Sequence, residues 1–293
     1  MSDIIASPSV RRMALEKGVD LEGRARSLGR RTMAAEDLEA NSPDTAPVTR
    51  GTSYWEVDHG QFGPVTEEPM SRFAQVAARN LAAAQSLIPA VTHHERADVS
   101  AIEALRGSFK SEAQARGVKL TALAFHVAAL ARNLRAFPRF NTSLSADGAT
   151  LVFKDYVHIG IAVDTPNGLM VPVIRDADTK GLWQLAAEIT DLAGRAQARK
   201  IKPDEMGGAS MTITNLGGLG GSAFSPIVNP PEVAILGITR TETATVWDGD
   251  TPRPVPMAPL DLSYDHRVIN GADAARFMGR YAGLISEPRN MLI

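Results

Sequence analysis

Two segments of the 293-residue chain carry residue types that could move a proton or hold a developing negative charge. The first is LSYDHRVINGADAARFM, where His266 follows an apolar strand-like run and precedes an Asn270-Gly271 turn and a helix-like stretch. A histidine at a strand end, rimmed by Asp265 and Arg267, is well placed for proton transfer. Its reference pKa near 6.5 lets it act as a base around neutral pH. The second segment is Thr212–Gly221, TITNLGGLGG. No GK[ST] follows, so this is not a P-loop, and GGLGG lacks the spacing of a dinucleotide fingerprint. A flexible turn between strands would account for the glycines. The sharper reading is that Thr214 offers a hydroxyl at a strand end, where it could stabilise an oxyanion.

The other five histidines are weaker candidates. His126 lies in an apolar helix and reads as a packed core histidine; His158 sits in an apolar strand and also reads as structural. His59 is uninformative. His93-His94 with Asp98 (HHERAD) superficially matches the HHxxxD core of peptide-synthetase condensation domains. The glycine that should follow is Val99, and the segment runs into a Ser-capped helix, so it reads as a decoy.

The elements that must position His266 and Thr214 alternate in type. Helices are expected at Ser71–Leu87, Ser100–Ala115 (capped by Ser100), Leu120–Phe137 (stopping before Pro138), Leu182–Gln197 and Ala272–Ile285. Strands are expected at Ala90–His94, Val157–Val163, Leu169–Val173, Ser210–Thr214, Val233–Ile238 and Leu260–Tyr264, with a Pro166-Asn167-Gly168 turn between the second and third. This mixture implies an α/β layer structure.

The first 40 residues differ. Arg11, Arg12, Lys17, Arg24, Arg26, Arg30 and Arg31 face only three acids between Arg11 and Arg31. Pro8 in a first turn capped by Ser7, with Val10, Met13 and Ala14 at helical spacing, predicts a short helix ending at Gly18. Val19-Asp20-Leu21 reads as a turn, and a second short helix is expected over Ala34–Ala40. A solvated basic helix pair with no partner is the plain alternative. Asn41–Ser53 has the Pro/Ser/Thr/Gly composition of a linker.

Composition narrows the function classes. Hydrophobic residues are 44% and charged residues 22%, enough apolar material for a sizeable core and too much for global disorder. The chain has no Cys, which excludes a disulfide framework, a Cys-ligated metal and a cysteine nucleophile. A net charge of −2 and 5% aromatic residues argue against nucleic-acid binding. No apolar run has membrane-spanning length and no signal peptide is visible, so a cytoplasmic location is expected.

SYDHRVINGADAARF together with SMTITNLGGLGGSAFSPIVNPPEVAILGI resembles the catalytic domain of the dihydrolipoamide acyltransferases, the core component of 2-oxoacid dehydrogenase complexes. The match extends back through VTEEPMSRFAQVAARNL, ADVSAIEALR, GVKLTAL, FPRFNTSL and YVHIGIAVDTPNGLMVPVI, over roughly residues 56–293, and looks closest to the pyruvate (acetyl) branch. The resemblance implies a chloramphenicol-acetyltransferase-like two-layer α/β domain with a mixed sheet. It implies His266 as general base and Thr214 as oxyanion donor. Asn270 falls where most members carry Asp, and some acetyltransferases of the family are similar to this chain in having Asn. Arg106, Thr121, Asp164, Asn215, Gly237 and Thr239 match positions lining the coenzyme A channel. Coenzyme A is then a substrate and no metal is needed.

ASPSVRRMALEKGVDLE resembles the small helical peripheral-subunit-binding domain of the same enzymes, which grips the decarboxylase or dihydrolipoamide dehydrogenase with arginines. The following loop, SLGRRTMAAED, is one residue shorter than usual. The implied organisation is a binding domain over residues 1–41, a linker over 42–55 and an acyltransferase domain over 56–293. No DKA- or DKV-type lysine hairpin is present, so a lipoyl group is expected from another polypeptide or from a segment outside this chain. The resemblance implies a homotrimer with shared active sites, with a 24-subunit cube as an open alternative. A non-catalytic scaffold that tethers partner dehydrogenases is the competing function, and a free-standing acetyltransferase of the chloramphenicol type is a third.

Overall fold

The computed structural model describes residues 4–16, 20–27, 31–34, 36–39, 57–166 and 168–291. The linker expected over 42–55, Arg30, the Asn167 turn residue and Leu292–Ile293 lie outside them. The chain divides into two compact units, Met1–Glu68 and Pro69–Ile293.

In the first unit, β1 (Ile5–Ala6) pairs in parallel with β2 (Thr32–Met33) beside α1 (Pro8–Glu16), α2 (Leu21–Ser27) and α3 (Glu36–Glu39). Val10 donates its amide to Ser7 Oγ at 3.3 Å, the expected cap. Val10, Ala14, Ala25, Met33 and Leu38 form the small core. Of the turn expected at Val19-Asp20-Leu21, Val19 lies outside the described residues and Leu21 opens α2. Asp20 accepts the amides of Glu22 and Gly23 at 3.0 Å each, satisfying donors that a helix start leaves open. Of the helix expected over 34–40, the described residues show the single turn of α3; residues 35 and 40 lie outside them.

The second unit opens with α4 (Arg72–Leu87), β3 (Ala90–Asp98), α5 (Ser100–Ser108), α6 (Lys110–Ala115) and α7 (Ala122–Ala136). It continues through β4 (Thr142–Leu144), β5 (Leu151–Phe153), β6 (Ile159–Ala162), β7 (Val173–Ile174), α8 (Leu182–Gln197) and β8 (Met211–Asn215). It closes with β9 (Ala234–Ile238), β10 (Glu242–Asp248), β11 (Thr251–Asp265) and α9 (Gly271–Ser286). The main sheet runs β10-β11-β9-β8-β6-β7, with β3 also on β11. β6, β8 and β9 are parallel; the remaining pairs are antiparallel, so the sheet is mixed.

Alternation along the strands separates the two faces. Ile159, Ile161, Met211, Ile213, Leu236, Ile238, Leu260, Leu262 and Tyr264 are buried with Leu130, Leu134, Leu185, Phe277 and Tyr281 of α7, α8 and α9. The intervening residues, among them Thr212, Thr214, Gly237, Asp261, Ser263 and Asp265, form a polar, small-residue face. Ile235 on that face joins an apolar cluster with Val228 and with Ala84 and Ile88 at the end of α4.

Several details differ from expectation: the strand expected at Leu169–Val173 reduces to an isolated bridge at Met170 and the two residues of β7, and β4 and β5 form an additional hairpin. The helix from Ser100 breaks at Phe109, and Ser100 is its first residue, with its amide held by Asp98 Oδ1 at 2.8 Å. The strand expected at Leu260–Tyr264 is the end of a 15-residue strand. β10 is an additional strand; it returns to β11 through a two-residue Gly249-Asp250 turn with Gly249 at φ 60°, a hairpin geometry that suits glycine.

Candidate active site

The segment after β11 folds into a tight, heavily tied turn. The backbone carbonyl of Asp265 accepts the amides of both Val268 and Ile269 at 3.0 Å. The buried Asp265 carboxylate takes the Arg267 amide at 3.0 Å and a two-pronged guanidinium contact, with Nε at 2.9 Å and Nη2 at 2.7 Å. His266 sits exposed between them, its own amide held by Pro89 O at 3.1 Å. Asn270 is the N-cap of α9 and accepts the Asp273 amide through Oδ1 at 3.1 Å. Asn and Asp cap helices about equally well. The residue that launches α9 thus closes the His266 turn.

Thr214 lies on β8, half-buried, in register with Ala162 on β6 and Gly237 on β9. Asn215 ends the strand and accepts the Gly217 amide at 2.9 Å. Thr239 is buried beside Gly221, and its hydroxyl has no hydrogen-bond partner among the described residues. Asp164 stands just beyond β6 at this same sheet end, its carbonyl accepting Gln197 Nε2. A Cβ at Gly237 would lie 2.7 Å from two carbons of the Phe224 ring, so glycine there is required by packing. The fold therefore gathers Thr214, Asn215, Gly237, Thr239 and Asp164. Arg106, ion-paired to Glu103 on α5, and Thr121, the N-cap residue of α7, belong to the helical layer. Among the described residues, no hydrogen bond joins either to that group.

The two reactive candidates are apart within one chain. Thr214 registers with Gly237, and Gly237 with Asp261; His266 is five residues beyond Asp261. At about 3.3 Å per residue and 4.8 Å per strand, the hydroxyl and the imidazole stand roughly 15–20 Å from each other. Over that distance no direct hydrogen bond joins them within one chain.

The other histidines divide as expected. His126 is buried, with Nδ1 2.7 Å from the Tyr281 hydroxyl, and burial pushes it down to about 4. His158 accepts the Asp176 amide at 2.9 Å and stacks on Tyr156. His93 and His94 lie within β3, in strand conformation.

Two buried carboxylates escape the sequence reading. Glu232 lines a cleft of about 1110 Å³ that also touches Asp265 and Arg267. Its Oε1 accepts from Thr212 Oγ1 at 2.9 Å and Asn229 Nδ2 at 3.0 Å, while Oε2 has no partner among the described residues. Burial raises its pKa above the usual carboxylate range. Asp261 is 1% exposed on β11. The available signal is an acid inside an apolar strand run, PEVAILG and PLDLSYD.

A family described as 2-oxoacid dehydrogenases acyltransferase (catalytic domain) matches residues 62–293, and one described as e3 binding domain matches residues 4–24. The chain belongs to the 2-oxoacid dehydrogenase acyltransferase family. Among its relatives is the dihydrolipoyllysine-residue acetyltransferase component of the pyruvate dehydrogenase complex of Pseudomonas aeruginosa, 46% identical over 98% of this chain and 55% of the relative. The chain spans about half the length of curated relatives such as this one and that of Azotobacter vinelandii. The solved dihydrolipoamide acetyltransferase of Azotobacter vinelandii is 49% identical, with a TM-score of 0.80 over 81% of this chain and 98% of that one. A structure described as the cubic core of the pyruvate dehydrogenase multienzyme complex is 50% identical, also with a TM-score of 0.80. These likenesses agree with the expected two-layer, mixed-sheet domain. The Azotobacter study concerns a serine, a histidine and an asparagine in the catalytic mechanism, separated by 52 and 4 residues along that chain. Thr214, His266 and Asn270 have the same separations.

Proposed function

We propose that the chain transfers an acetyl group between dihydrolipoamide and coenzyme A, as the core of a pyruvate dehydrogenase complex. The observation that carries this is the coincidence of Thr214, His266 and Asn270, in type and spacing, with the catalytic trio studied in the Azotobacter enzyme. Threonine in place of serine keeps the hydroxyl.

His266 accepts the proton of the attacking thiol, because a free thiol with pKa near 8.5 is mostly protonated at neutral pH. The thiolate forms a bond to the thioester carbonyl carbon. The Thr214 hydroxyl of a neighbouring subunit donates to the resulting oxyanion. Collapse breaks the original carbon–sulfur bond, and the departing thiolate regains the proton from His266. Asn270 orients the turn and supplies no charge. Coenzyme A is held by the strand-end group of Thr214, Asn215, Gly237, Thr239 and Asp164, with Arg106 and Thr121 as the helical contributors. A lipoyl arm reaches the site from another domain or polypeptide. Residues 1–41 form the peripheral-subunit-binding domain, joined by a linker over 42–55 to the acyltransferase domain over 56–293. The basic N-terminal unit docks dihydrolipoamide dehydrogenase or the decarboxylase.

The test is acetyl transfer from acetyl-CoA to free dihydrolipoamide. His266→Ala should abolish it while the fold is retained. Turnover within about tenfold of the unsubstituted protein would rule out a general-base role.

A further inference from the structure

An ionised carboxylate as deeply buried as that of Asp261 needs partners. It has two. Oδ1 lies 2.6 Å from Nδ1 of His94 on the adjacent strand β3, and Oδ2 accepts the backbone amide of Phe224 at 3.2 Å. The imidazole is otherwise open, with 54% of its side chain exposed.

The register gives this contact its meaning. His94 is paired with Asp261, Asp261 with Gly237, and Gly237 with Thr214. Residues directly opposite on adjacent strands project from the same face, so these four form one row across the polar side of the sheet. Gly237 leaves a gap in the row, and the Phe224 ring fills it, 2.7 Å from where a Cβ would stand. Phe224 also closes the glycine-rich first part of the connection that leaves β8 directly after Thr214 and Asn215 and runs to β9. That loop, LGGLGGSAF, contains four glycines, two of them at positive φ (Gly220 at 139°, Gly221 at 85°). Such a segment has little intrinsic stiffness. Its order comes from anchors such as Gly217 N on Asn215 Oδ1, Arg240 on the Leu219 carbonyl, and Phe224 N on Asp261.

We propose that His94 and Asp261 form a clasp that positions the Thr214 hydroxyl, by fixing the Phe224 end of the loop that flanks it. This rests on the reading of Thr214 as an oxyanion donor. His94 touches no reacting atom and is a positioning residue. Without the His94 donor, the Asp261 carboxylate keeps a single partner at a depth where one does not offset its desolvation. It then turns away from the row, and the Phe224 amide loses its acceptor.

The experiment uses the full chain with three substitutions. His94→Phe keeps an aromatic ring without the donor. His94→Asn keeps an N–H at the place of Nδ1. Asp261→Ala removes the acceptor. Amide exchange over residues 216–224 and the kcat and KM of acetyl transfer are measured for each. His94→Phe and Asp261→Ala should speed exchange of that segment by about tenfold, leaving α7 and α9 protected. They should lower kcat by about tenfold with little change in KM for coenzyme A, because a misaligned oxyanion donor is felt in the transition state. His94→Asn should restore both, and the double variant should be no worse than Asp261→Ala alone. Unchanged exchange in His94→Phe and Asp261→Ala would overturn the clasp. Faster exchange with unchanged kcat would overturn its positioning role. An unsubstituted protein without transfer activity would instead overturn the acyltransferase reading, and the exchange result would identify that case.

Discussion

At the scale of single residues, the site separates side chains that act from those that hold. Strand register holds the Thr214 backbone, so its hydroxyl can be removed with little structural consequence. Thr214→Ala should lower kcat by about 10²-fold with little change in KM, since an oxyanion donor acts mainly in the transition state. Thr214→Ser should remain active. A variant that raises only KM would make Thr214 a substrate-binding residue. His126 is a residue that holds. Burial pushes its imidazole down to about 4, below the value near 6.5 expected in an unfolded chain. A lowered folded pKa means that the unfolded chain binds more protons between those values, so stability is present above pH 6.5 and declines toward pH 4. Between pH 7 and 5 this one group should remove about 2 kcal/mol. Urea unfolding at the two pH values should show that difference shrink by this amount in His126→Gln.

At the scale of elements, termini and turns carry the site. The N-cap of α9 is also the last residue of the His266 turn. Asn270→Ala should cost about 1 kcal/mol of stability, and Asn270→Asp should not, which thermal unfolding can check. Activity should follow the same order, because the cap and the turn share the residue. In the N-terminal unit, the arginines do different work. Arg11 donates through Nη2 to the Ile4 carbonyl at 2.7 Å and through Nε to Ala6 at 3.3 Å, so its guanidinium ties β1 to α1. Arg12 and Arg31 are exposed. Arg31→Ala should weaken binding to the partner dehydrogenase without lowering the unit's melting temperature, whereas Arg11→Ala should lower the melting temperature. Binding should weaken as salt rises. Salt-independent binding, measured by calorimetry, would reject an arginine-based contact.

At the scale of the whole molecule, the roughly 15–20 Å between Thr214 and His266 within one chain makes a shared site a testable proposal. Mixing His266→Ala and Thr214→Ala chains before assembly provides the test. If each site takes one residue from each of two subunits, random mixed oligomers should regain about a quarter of the sites. If both residues came from one chain, no activity would return. The C-terminus bears on larger assembly. Met291 is buried in its own core, so it is not free to enter a neighbouring trimer. Leu292 and Ile293 are the apolar residues that follow it in the sequence. Deleting those two residues should convert a 24-mer into trimers that keep their activity, as read by sedimentation. Full-length protein already sedimenting as a trimer would remove that role.

What the sequence determined by itself is local or short-range in origin. The Ser7 cap, the periodicity of Leu182–Gln197, and the alternating strand runs are written in neighbouring residues, so their elements are legible. The DHRVING and TITNLGGLGG segments disclose the candidate chemistry because rare residue types stand at strand ends. The start of α2 at Asp20 reads as a turn because an aspartate that caps a helix also favours turns. β10 escapes because a largely exposed hairpin strand carries no apolar signal. Tertiary structure alone decided everything that depends on register between distant strands. It buried Asp261 against His94, 167 positions apart in the chain. It also set Thr214 and His266 at opposite ends of the sheet. Hydrogen-bonded strand order is a long-range property, and a one-residue slip in any ladder would send these side chains to the other face.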